Sequence, residues 1–281
     1  MDLANRFKAG LVSAAFKLMS PGERRARIFL ETSQSAFKPV VLLPVSATFT
    51  RKILARLKDV RKRAPGVWTG AVPGNRGSKV PVTVVRQQLG APHGAIVMEV
   101  LKDSACRVAV RVDFAGGVGK GVEVGHLCVP GSAFCGDGTT PHYLAPEDDP
   151  APLTHLGETP PVADADPELR DLLLRTASEL AGERRVHEAP VWTTDAIFRE
   201  TPPKLRRWRE LGAACVDMES SVLFLLGRKF GIRVAAVLAV SDVPGHPEHD
   251  LGNAERMHPQ LESGADRAVK AVLGAVARVK V

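Results

Sequence analysis

Aromatic residues are scarce in this chain, and their scarcity excludes one class of function. The 281 residues include one Tyr and three Trp, and aromatic residues make up 5% of the sequence. Proteins that bind single-stranded nucleic acid without sequence preference stack bases on aromatic side chains set among basic residues. The sequence lacks that interleaved pattern, so we expect no nucleic-acid partner.

Cysteine is also rare and shows no metal-binding spacing. The four cysteines are Cys106, Cys128, Cys135 and Cys215, and they form neither a C-x-x-C pair nor a zinc-type spacing with histidine. We therefore expect no metal and no other cofactor. The same pattern favours a protein with reduced thiols, as in the cytoplasm.

Long hydrophobic runs are absent as well. No stretch reaches the about 20 apolar residues that a membrane-spanning helix needs. The opening segment Met1–Ser20 is basic and partly apolar, but Lys8 and Lys17 interrupt it and no A-x-A-like cleavage site follows. We expect an amphipathic N-terminal helix, no membrane partner and a cytoplasmic location.

What the chain does have is an ordinary globular composition with a basic excess. Hydrophobic residues make up 44% and charged residues 25%, and 38 basic against 31 acidic residues give a net charge of +7. Such an excess attracts anions such as phosphate. Because the basic residues are spread along the chain and not massed in one tract, a basic solvated surface is the better explanation of the excess.

Short apolar runs alternate with helical patterns along the chain. The runs are Lys38–Pro44, Val80–Gly90, Cys106–Val112 and Ile232–Val240, and the helical patterns are Lys52–Arg61, Ala91–Leu101, Met218–Phe230 and about Glu262–Lys280. The alternation predicts an α/β fold with a substantially parallel, buried sheet. We place a helical extension at residues 1–36 and the domain at residues 37–281, with a long ordered loop or flap from Gly136 to Pro167.

In folds of this kind ligands bind at the carboxyl ends of the strands. That rule places Thr48, Arg51, Gly90, Asp113–Gly117 and Asp242 in one neighbourhood.

Arg111 lies in an otherwise apolar strand pattern, where a buried guanidinium needs an anionic partner. A phosphate would suit its planar fork, and an internal salt bridge would serve equally well. Glu219 stands among apolar residues, so its carboxylate also needs partners, which a sugar diol would supply. We interpret Asp217 as an acidic residue in the first turn of a helix that opens at Val216.

Asp242 ends the last apolar run, where loops carry function. Its simpler explanation is a cap for a following turn. Arg256 follows 14 positions later and either returns to pair with Asp242 or is a surface charge.

Five segments, in order along the chain, resemble the signatures of one enzyme family. Arg111–Gly117 with Val122–Gly125 resembles R-[VI]-G-[ST]-x-G and its trailing V-G-D, and Gly136–Tyr143 resembles a D/E-G-x-x-x-H-[FY] flap. Thr193–Thr201 resembles a base-site loop, Val216–Ser221 resembles V-E-M-E-[AS]-[AG], and Val240–Asp242 resembles V-S-D. The chain is thus similar to the nucleoside phosphorylase superfamily (purine nucleoside and uridine phosphorylases), nearest to its uridine phosphorylase-like branch. The resemblance implies a single-domain, three-layer α/β/α fold with a mixed, largely parallel, twisted central sheet.

The resemblance implies a role for each matching residue. Arg111, with Thr48 and Arg51 as substitutes in the altered loop, would bind phosphate, and Met218 and Glu219 would hold the ribose. Thr194, Ile197, Phe198 and Arg199 would line the base pocket, and Asp242, assisted by Arg256, would act with Arg111 in catalysis. No cofactor is implied, and inorganic phosphate is the co-substrate. The resemblance also implies a homo-oligomer, a hexamer or a dimer.

The departures from the family fall on the phosphate contacts. The family's P-G-D-P-x-R loop is here Pro44–Phe49 and contains neither the Gly nor the Arg, and Phe114 replaces the Ser or Thr after R-[VI]-G. The resemblance nevertheless implies a nucleoside phosphorylase that converts a uridine or purine nucleoside and phosphate to free base and ribose 1-phosphate. A hydrolytic nucleosidase and a non-catalytic nucleoside-binding protein on the same fold are the alternatives.

Overall fold

The computed structural model describes residues 16–74, 77–149, 159–251 and 256–280. The helices in these ranges are α1 (Pro21–Leu30), α2 (Ala47–Leu54), α3 (Ala91–Leu101), α4 (Thr140–Leu144), α5 (Pro167–Ala181), α6 (Pro202–Glu210), α7 (Ser220–Phe230) and α8 (Gln260–Val276), with 3₁₀ turns at Gln34–Ala36, Glu183–Arg185 and Ile197–Arg199. The strands are β1 (Val40–Leu43), β2 (Lys58–Ala64), β3 (Val67–Pro73), β4 (Lys79–Val85), β5 (Val108–Gly117), β6 (Leu127–Cys128), β7 (Ser132–Gly136), β8 (Val162–Asp164), β9 (Val186–His187), β10 (Val191–Thr194), β11 (Cys215–Asp217) and β12 (Arg233–Asp242).

The described strands form one mixed sheet in the order β2-β3-β4-β1-β5-β11-β10-β7-β8. β12 pairs with β5 and continues the sheet through β6 to β9. β4, β1, β5 and β12 are mutually parallel, as are β11, β10 and β7. The parallel strands read as continuous apolar runs because they are covered on both faces, and all four residues of β1 are buried.

Helices cover both faces of the sheet. On one face α1, α3 and α7 pack together, and α7 contacts β7, β8 and β12. On the other face α2, α5 and α8 pack together, and both α5 and α8 contact β12. Since β12 lies between the two groups, the molecule has three layers. The predicted α/β/α fold with a mixed sheet is confirmed.

β5 is the strand from which the site is built. It pairs in parallel with β1 and β12, and near its carboxyl end Gly116 and Gly117 pair antiparallel with β11. A Cβ atom on Gly116 would lie 3.0 Å from both Pro244 and Val216, so a glycine permits this crowded junction. The junction brings the end of β11 beside β5.

One predicted helix is wrong. The pattern Lys52–Arg61 is divided between the end of α2 and the strand β2. Ser46 caps α2 by accepting a hydrogen bond from the Phe49 amide, which sets an earlier start. β2 is almost entirely exposed and becomes a strand by pairing with β3, a tertiary contact that outweighs local propensity.

Other boundaries shift by a few residues. The last helix is Gln260–Val276, close to the predicted Glu262–Lys280. The predicted loop from Gly136 to Pro167 contains α4 and β8, and residues 150–158 of it lie outside the described residues. Most of the predicted Met1–Ser20 helix, residues 1–15, also lies outside them.

Gly264→Ala should destabilise the fold, because α8 passes directly against the backbone of Gly125. A Cβ atom at position 264 would lie 2.7 Å from the Gly125 Cα and 3.0 Å from its carbonyl oxygen, and neither can move independently. We expect a loss of about 1–3 kcal/mol in the free energy of unfolding, measured by urea titration.

Gly274→Ala is the matched control in the same helix. A Cβ atom there would have its nearest neighbour, Thr176 Cγ2, at 4.0 Å. Its effect should be a gain of at most about 1 kcal/mol from improved helix propensity. Equal effects at positions 264 and 274 would contradict the close packing of α8 on Gly125.

Candidate active site

Two neighbouring strands bring together a cluster of charged residues, of which the sequence predicted Arg111 and Glu219 for the site. β5 carries Arg111 and Asp113, and β11 ends at Asp217. Glu219 stands immediately before α7, which begins at Ser220. Because β11 pairs with the end of β5, the three acidic residues surround one guanidinium.

Arg111 is buried in an ion-pair cluster, with 2% of its surface exposed. Its Nε lies 3.1 Å from Asp217 Oδ2, and its Nη2 lies 2.5 Å from Glu219 Oε2. Burial by itself lowers the pKa of Arg111, but the charges of Glu219, Asp217 and Asp113 outweigh it and raise the pKa. The internal salt bridge is therefore formed. Among the described residues the buried Nη1 has no hydrogen-bond partner, so one donor of the fork is left for a ligand.

Glu219 is anchored on both oxygens. Its Oε1 accepts a hydrogen bond of 2.6 Å from the Gly90 amide, and its Oε2 faces Arg111. Gly90 has φ of 102°, a conformation that favours glycine and presents its amide to the carboxylate. Burial raises the pKa of Glu219, and the positive charge of Arg111 opposes the increase. Each carboxylate oxygen keeps a lone pair that can accept from a ligand hydroxyl.

Asp217 has a larger part than its sequence position suggested. It ends a strand, not a first helical turn, and it is buried. Its Oδ1 accepts from Thr193 Oγ1 at 2.9 Å, and its Oδ2 accepts from Arg111 and from both the amide and the hydroxyl of Ser220. Asp217 thus caps α7 and fixes Arg111 at the same time. The expectation failed because the helix begins at Ser220 rather than Val216.

Asp113 ties the loop after β1 to β5. Its Oδ2 accepts hydrogen bonds from the Val45 amide at 2.5 Å and the Ser46 amide at 2.7 Å, and its Oδ1 accepts from the Phe114 amide. Two consecutive amides that point at one carboxylate form an anion-binding arrangement. Here the anion is supplied by the chain itself.

An aromatic contact fills the space beside this loop. Phe49 and Phe114 meet edge to face, with ring centroids 4.8 Å apart. Thr48, in the first turn of α2, is half-buried and Arg51 is exposed. Neither of these two side chains hydrogen-bonds to Arg111 in the part of the chain that the structure describes.

The residues predicted for the base pocket lie around the end of β10. Thr194 is buried and its Oγ1 accepts from the Ala196 amide at 3.3 Å. Ile197–Arg199 forms a 3₁₀ turn, in which Phe198 is 89% exposed and Arg199 is exposed. Met218 is half-buried between Asp217 and Glu219 in sequence. A large exposed aromatic side chain on this turn is available for contact with a ligand or another subunit.

Asp242 ends β12 as predicted, and its Oδ1 accepts a 2.5 Å hydrogen bond from Ser241 Oγ. Burial raises the pKa of Asp242, the Ser241 hydrogen bond opposes this, and the charge of Asp250 adds to it. Arg256 is exposed, and among the described residues no ion pair joins it to Asp242. The expected Asp242–Arg256 pair is thus not seen.

Glu200 is a residue that the sequence reasoning missed. Burial, together with the charges of Asp242 and Asp250, raises its pKa to about 8. At neutral pH it therefore carries a proton and can donate a hydrogen bond. It directly follows the Ile197–Arg199 turn, and that neighbourhood was its only signal in the sequence.

Gln87 was also missed. It follows β4 and is 1% exposed. Its backbone N–H donates a hydrogen bond of 2.8 Å to the Pro44 carbonyl. Among the described residues neither Oε1 nor Nε2 of its side chain has a hydrogen-bond partner. A buried amide side chain without partners commonly marks a bound water or ligand.

Neither a metal site nor a membrane span emerges from the described residues. They contain no group of three or more His, Cys, Asp or Glu side chains arranged to hold a metal ion. None of their helices is long and apolar enough to cross a bilayer.

Comparison with known proteins finds similarity to nucleoside phosphorylases. A Bacillus cereus protein, "Purine nucleoside phosphorylase DeoD-type", is 26% identical over 223 residues, which cover 76% of this chain and 86% of the relative. A structure of purine nucleoside phosphorylase from Toxoplasma gondii in complex with immucillin-H superposes with a TM-score of 0.71 at 22% identity, covering 93% of this chain and 98% of that one. Uridine phosphorylase from Vibrio fischeri gives a TM-score of 0.65 at 20% identity, covering 89% and 95%. At these identities the two structures show a shared fold.

The family itself is shown by a match over most of the chain. The family model described as "Phosphorylase superfamily" matches residues 39–277. This match, the fold and the ordered motifs agree, and the chain belongs to the phosphorylase superfamily.

Proposed function

We propose that the chain is a nucleoside phosphorylase, which cleaves the N-glycosidic bond of a nucleoside with phosphate to give free base and ribose 1-phosphate. The observation that carries the proposal is the contact between Arg111 and Glu219, an anion-binding group beside a sugar-binding group in one buried cluster. The substrates are two small molecules, nucleoside and phosphate, and no cofactor takes part. A homo-oligomer and a cytoplasmic location remain predictions from the sequence.

Cleavage of the N-glycosidic bond changes the charge on the base and on the ribosyl ring in opposite directions. As the bond between C1′ and the base nitrogen breaks, its electron pair leaves with the base and positive charge develops on the ribosyl ring. A phosphate oxygen then bonds to C1′. Arg111, through its unpaired Nη1, would hold the phosphate, and Glu219 beside Met218 would hold the ribose diol. Groups that bind this charge pattern more tightly than the ground state accelerate the reaction.

Two protonatable carboxyl groups support a purine as the base. A departing purine needs a proton at a ring nitrogen, and the pKa of Asp242 and that of Glu200 are both raised, chiefly by burial. Thr194, Ile197, Phe198 and Arg199 would enclose the base. Among the described residues no ion pair joins Arg256 to Asp242, so we give Arg256 no role in proton transfer.

Hydrolysis is the second candidate, and Asp113 is the observation that favours it. Its carboxylate takes the amides of Val45 and Ser46, and its charge faces Arg111. An incoming phosphate would meet a negative group at that position. Water, which is neutral, would not be repelled and would give free ribose instead of ribose 1-phosphate.

The proposed activity is tested by supplying uridine, inosine, adenosine and methylthioadenosine with and without phosphate and by identifying the sugar product. We expect phosphate-dependent release of a purine base with ribose 1-phosphate. Free ribose in phosphate-free buffer would assign hydrolysis instead. Saturable nucleoside binding without base release under either condition would contradict both reactions.

Glu219→Gln should lower kcat/KM by roughly 100-fold, because the neutral amide accepts more weakly from the ribose diol.

Arg111→Lys should raise the apparent KM for phosphate, since a lysine keeps the charge but lacks the planar guanidinium that binds two phosphate oxygens. Glu210→Gln, at the exposed end of α6, is the control and should retain full activity. Unchanged kinetics in both site variants would separate this cluster from the reaction.

Asp113→Gly/Phe114→Ser should strengthen phosphate binding about 10- to 100-fold, the effect of one or two charge-assisted hydrogen bonds. The change removes the internal carboxylate and frees the Val45 and Ser46 amides. Phosphate affinity is measured by calorimetry, and the sugar products are compared. Phe114→Ser alone is the control and should leave phosphate binding nearly unchanged. Equal affinity in the double variant and the wild type would show that Asp113 does not occupy the phosphate position.

Glu200→Gln should stabilise the protein at alkaline pH and not at acidic pH. In the unfolded chain Glu200 ionises near its ordinary value of 4.5, whereas in the fold it keeps its proton until about pH 8. The native state therefore binds more protons between these values, so the stability of the wild type falls as pH rises through that window. Gln cannot ionise and avoids this loss.

Melting temperatures of wild type, Glu200→Gln and the exposed control Glu210→Gln are compared at about pH 4.5 and about pH 8.5. The stabilising effect should be confined to Glu200→Gln at the higher pH. The same difference at both values would mean that Glu200 is ionised in the native protein.

A further inference from the structure

A pocket lies between the segment after β5, the segment after β12 and the first half of α8. Its volume is about 440 Å³, within the usual range for small-molecule sites. It is lined by Val122, Glu123, Val124, Gly125, His126, Arg185, Val243, His246, His249, His258, Gln260 and Arg267. We call it the basic pocket. It shares no residue with the candidate active site.

The charge of the basic pocket is one-sided. Among the described residues, its charged lining consists of two arginines, Arg185 and Arg267, and one acidic residue, Glu123, beside four histidines. The Glu123 side chain is 76% exposed, and its Oε2 lies 3.8 Å from His126 Nε2. A partner so exposed is screened by solvent and neutralises little. Burial lowers the pKa of His126 and His258, so the positive charge of the described lining comes from the two arginines.

Arg267 has a donor that the protein leaves unused. Its Nη2 donates to the Gly125 carbonyl at 2.9 Å, which fixes the guanidinium against the pocket wall. Its Nε is buried and has no hydrogen-bond partner among the described residues. Burial and the neighbouring charge of Arg185 lower the pKa of Arg267. Two arginines that repel each other and an unsatisfied donor are both relieved by an anion placed between them.

The histidines form flat walls beside the arginines. The rings of His246 and His249 stack with centroids 4.4 Å apart and planes 7° apart, and His258 meets His249 edge to face at 4.9 Å. Nδ1 of the fourth lining histidine, His126, lies 2.9 Å from His187 Nε2. These rings offer both nitrogen donors and flat surfaces for an organic group. A bare phosphate would leave much of the cavity unfilled.

We propose that the basic pocket binds a phosphate monoester of a small metabolite, with the phosphate against Arg185 and Arg267 and the organic group against the histidine rings. The planar fork of arginine suits phosphate oxygens, and the cavity volume suits a sugar phosphate or a nucleoside monophosphate. The proposal does not depend on the function assigned to the Arg111 cluster.

Calorimetric titration of the full chain tests the proposal with four probes: ribose 5-phosphate, uridine 5′-monophosphate, inorganic phosphate and uridine. We expect the two monoesters to bind more tightly than inorganic phosphate, and the neutral uridine to leave this pocket empty. Arg185→Gln should weaken monoester binding about 10- to 100-fold, the effect of losing a charge-assisted hydrogen bond. Arg267→Gln should do the same.

Arg184→Gln is the matched control, because Arg184 belongs to the same exposed 3₁₀ turn as Arg185 and does not line the pocket. It should bind the monoesters as the wild type does. Since Arg185 is exposed, Arg185→Gln should fold normally and carries the test even if Arg267→Gln does not fold.

Three results would overturn the proposal. One is equal monoester affinity in Arg185→Gln, Arg184→Gln and the wild type. Another is monoester binding that is lost in Arg111→Lys and kept in Arg185→Gln, which would place the ligand in the candidate active site. The third is no monoester binding up to about 1 mM in the wild type.

Discussion

The buried guanidinium of Arg111 is the constraint to which the rest of the site responds. Moving a charge out of water is unfavourable by several kcal/mol, and a buried arginine persists only where anionic groups and hydrogen bonds compensate it. Asp217 and Glu219 supply two ion pairs, and Asp113 adds a third negative charge nearby. Each of these carboxylates also accepts a hydrogen bond from a backbone amide of another segment. Asp217 accepts from Ser220 at the start of α7, Glu219 accepts from Gly90, and Asp113 accepts from Ser46 in the loop after β1. One cationic side chain therefore fixes the positions of three structural elements.

That arrangement also gives a physical meaning to the altered loop. The residues that depart from the family pattern are mutually consistent, because Phe49 and Phe114 pack on each other and Asp113 satisfies the loop amides. A loop that lost its anion ligand without such compensation would leave buried amides unpaired. The Val45 and Ser46 amides are thus satisfied by a carboxylate of the chain itself.

The Arg111 cluster and the basic pocket both contain arginines, but they differ in how many carboxylates compensate the arginine charge. Around Arg111 the positive charge is matched by carboxylates, so an incoming anion competes with residues of the chain. In the described lining of the basic pocket, the two arginines are accompanied by one exposed carboxylate, Glu123, so few charges of the chain compete with an incoming anion there. The net charge of +7 does not distinguish these regions, because it sums over residues that are compensated and residues that are not.

The sequence by itself determined the alternation of buried strands and helices, the end of α7 at Gly231, and the identity of the residues with family counterparts, Arg111, Glu219 and Asp242 among them. These features are local: apolar periodicity, a glycine at a helix terminus and short motifs are all legible within a few residues. The tertiary structure determined which residues distant in the chain came into contact. It made Lys58–Ala64 a strand by pairing it with β3, and it made Asp217 a partner of Arg111 by joining β11 to β5. It also raised the pKa of Glu200 and gathered the basic pocket from separate segments. Burial and charge proximity arise between residues distant in the chain, so they exist only once the chain has folded.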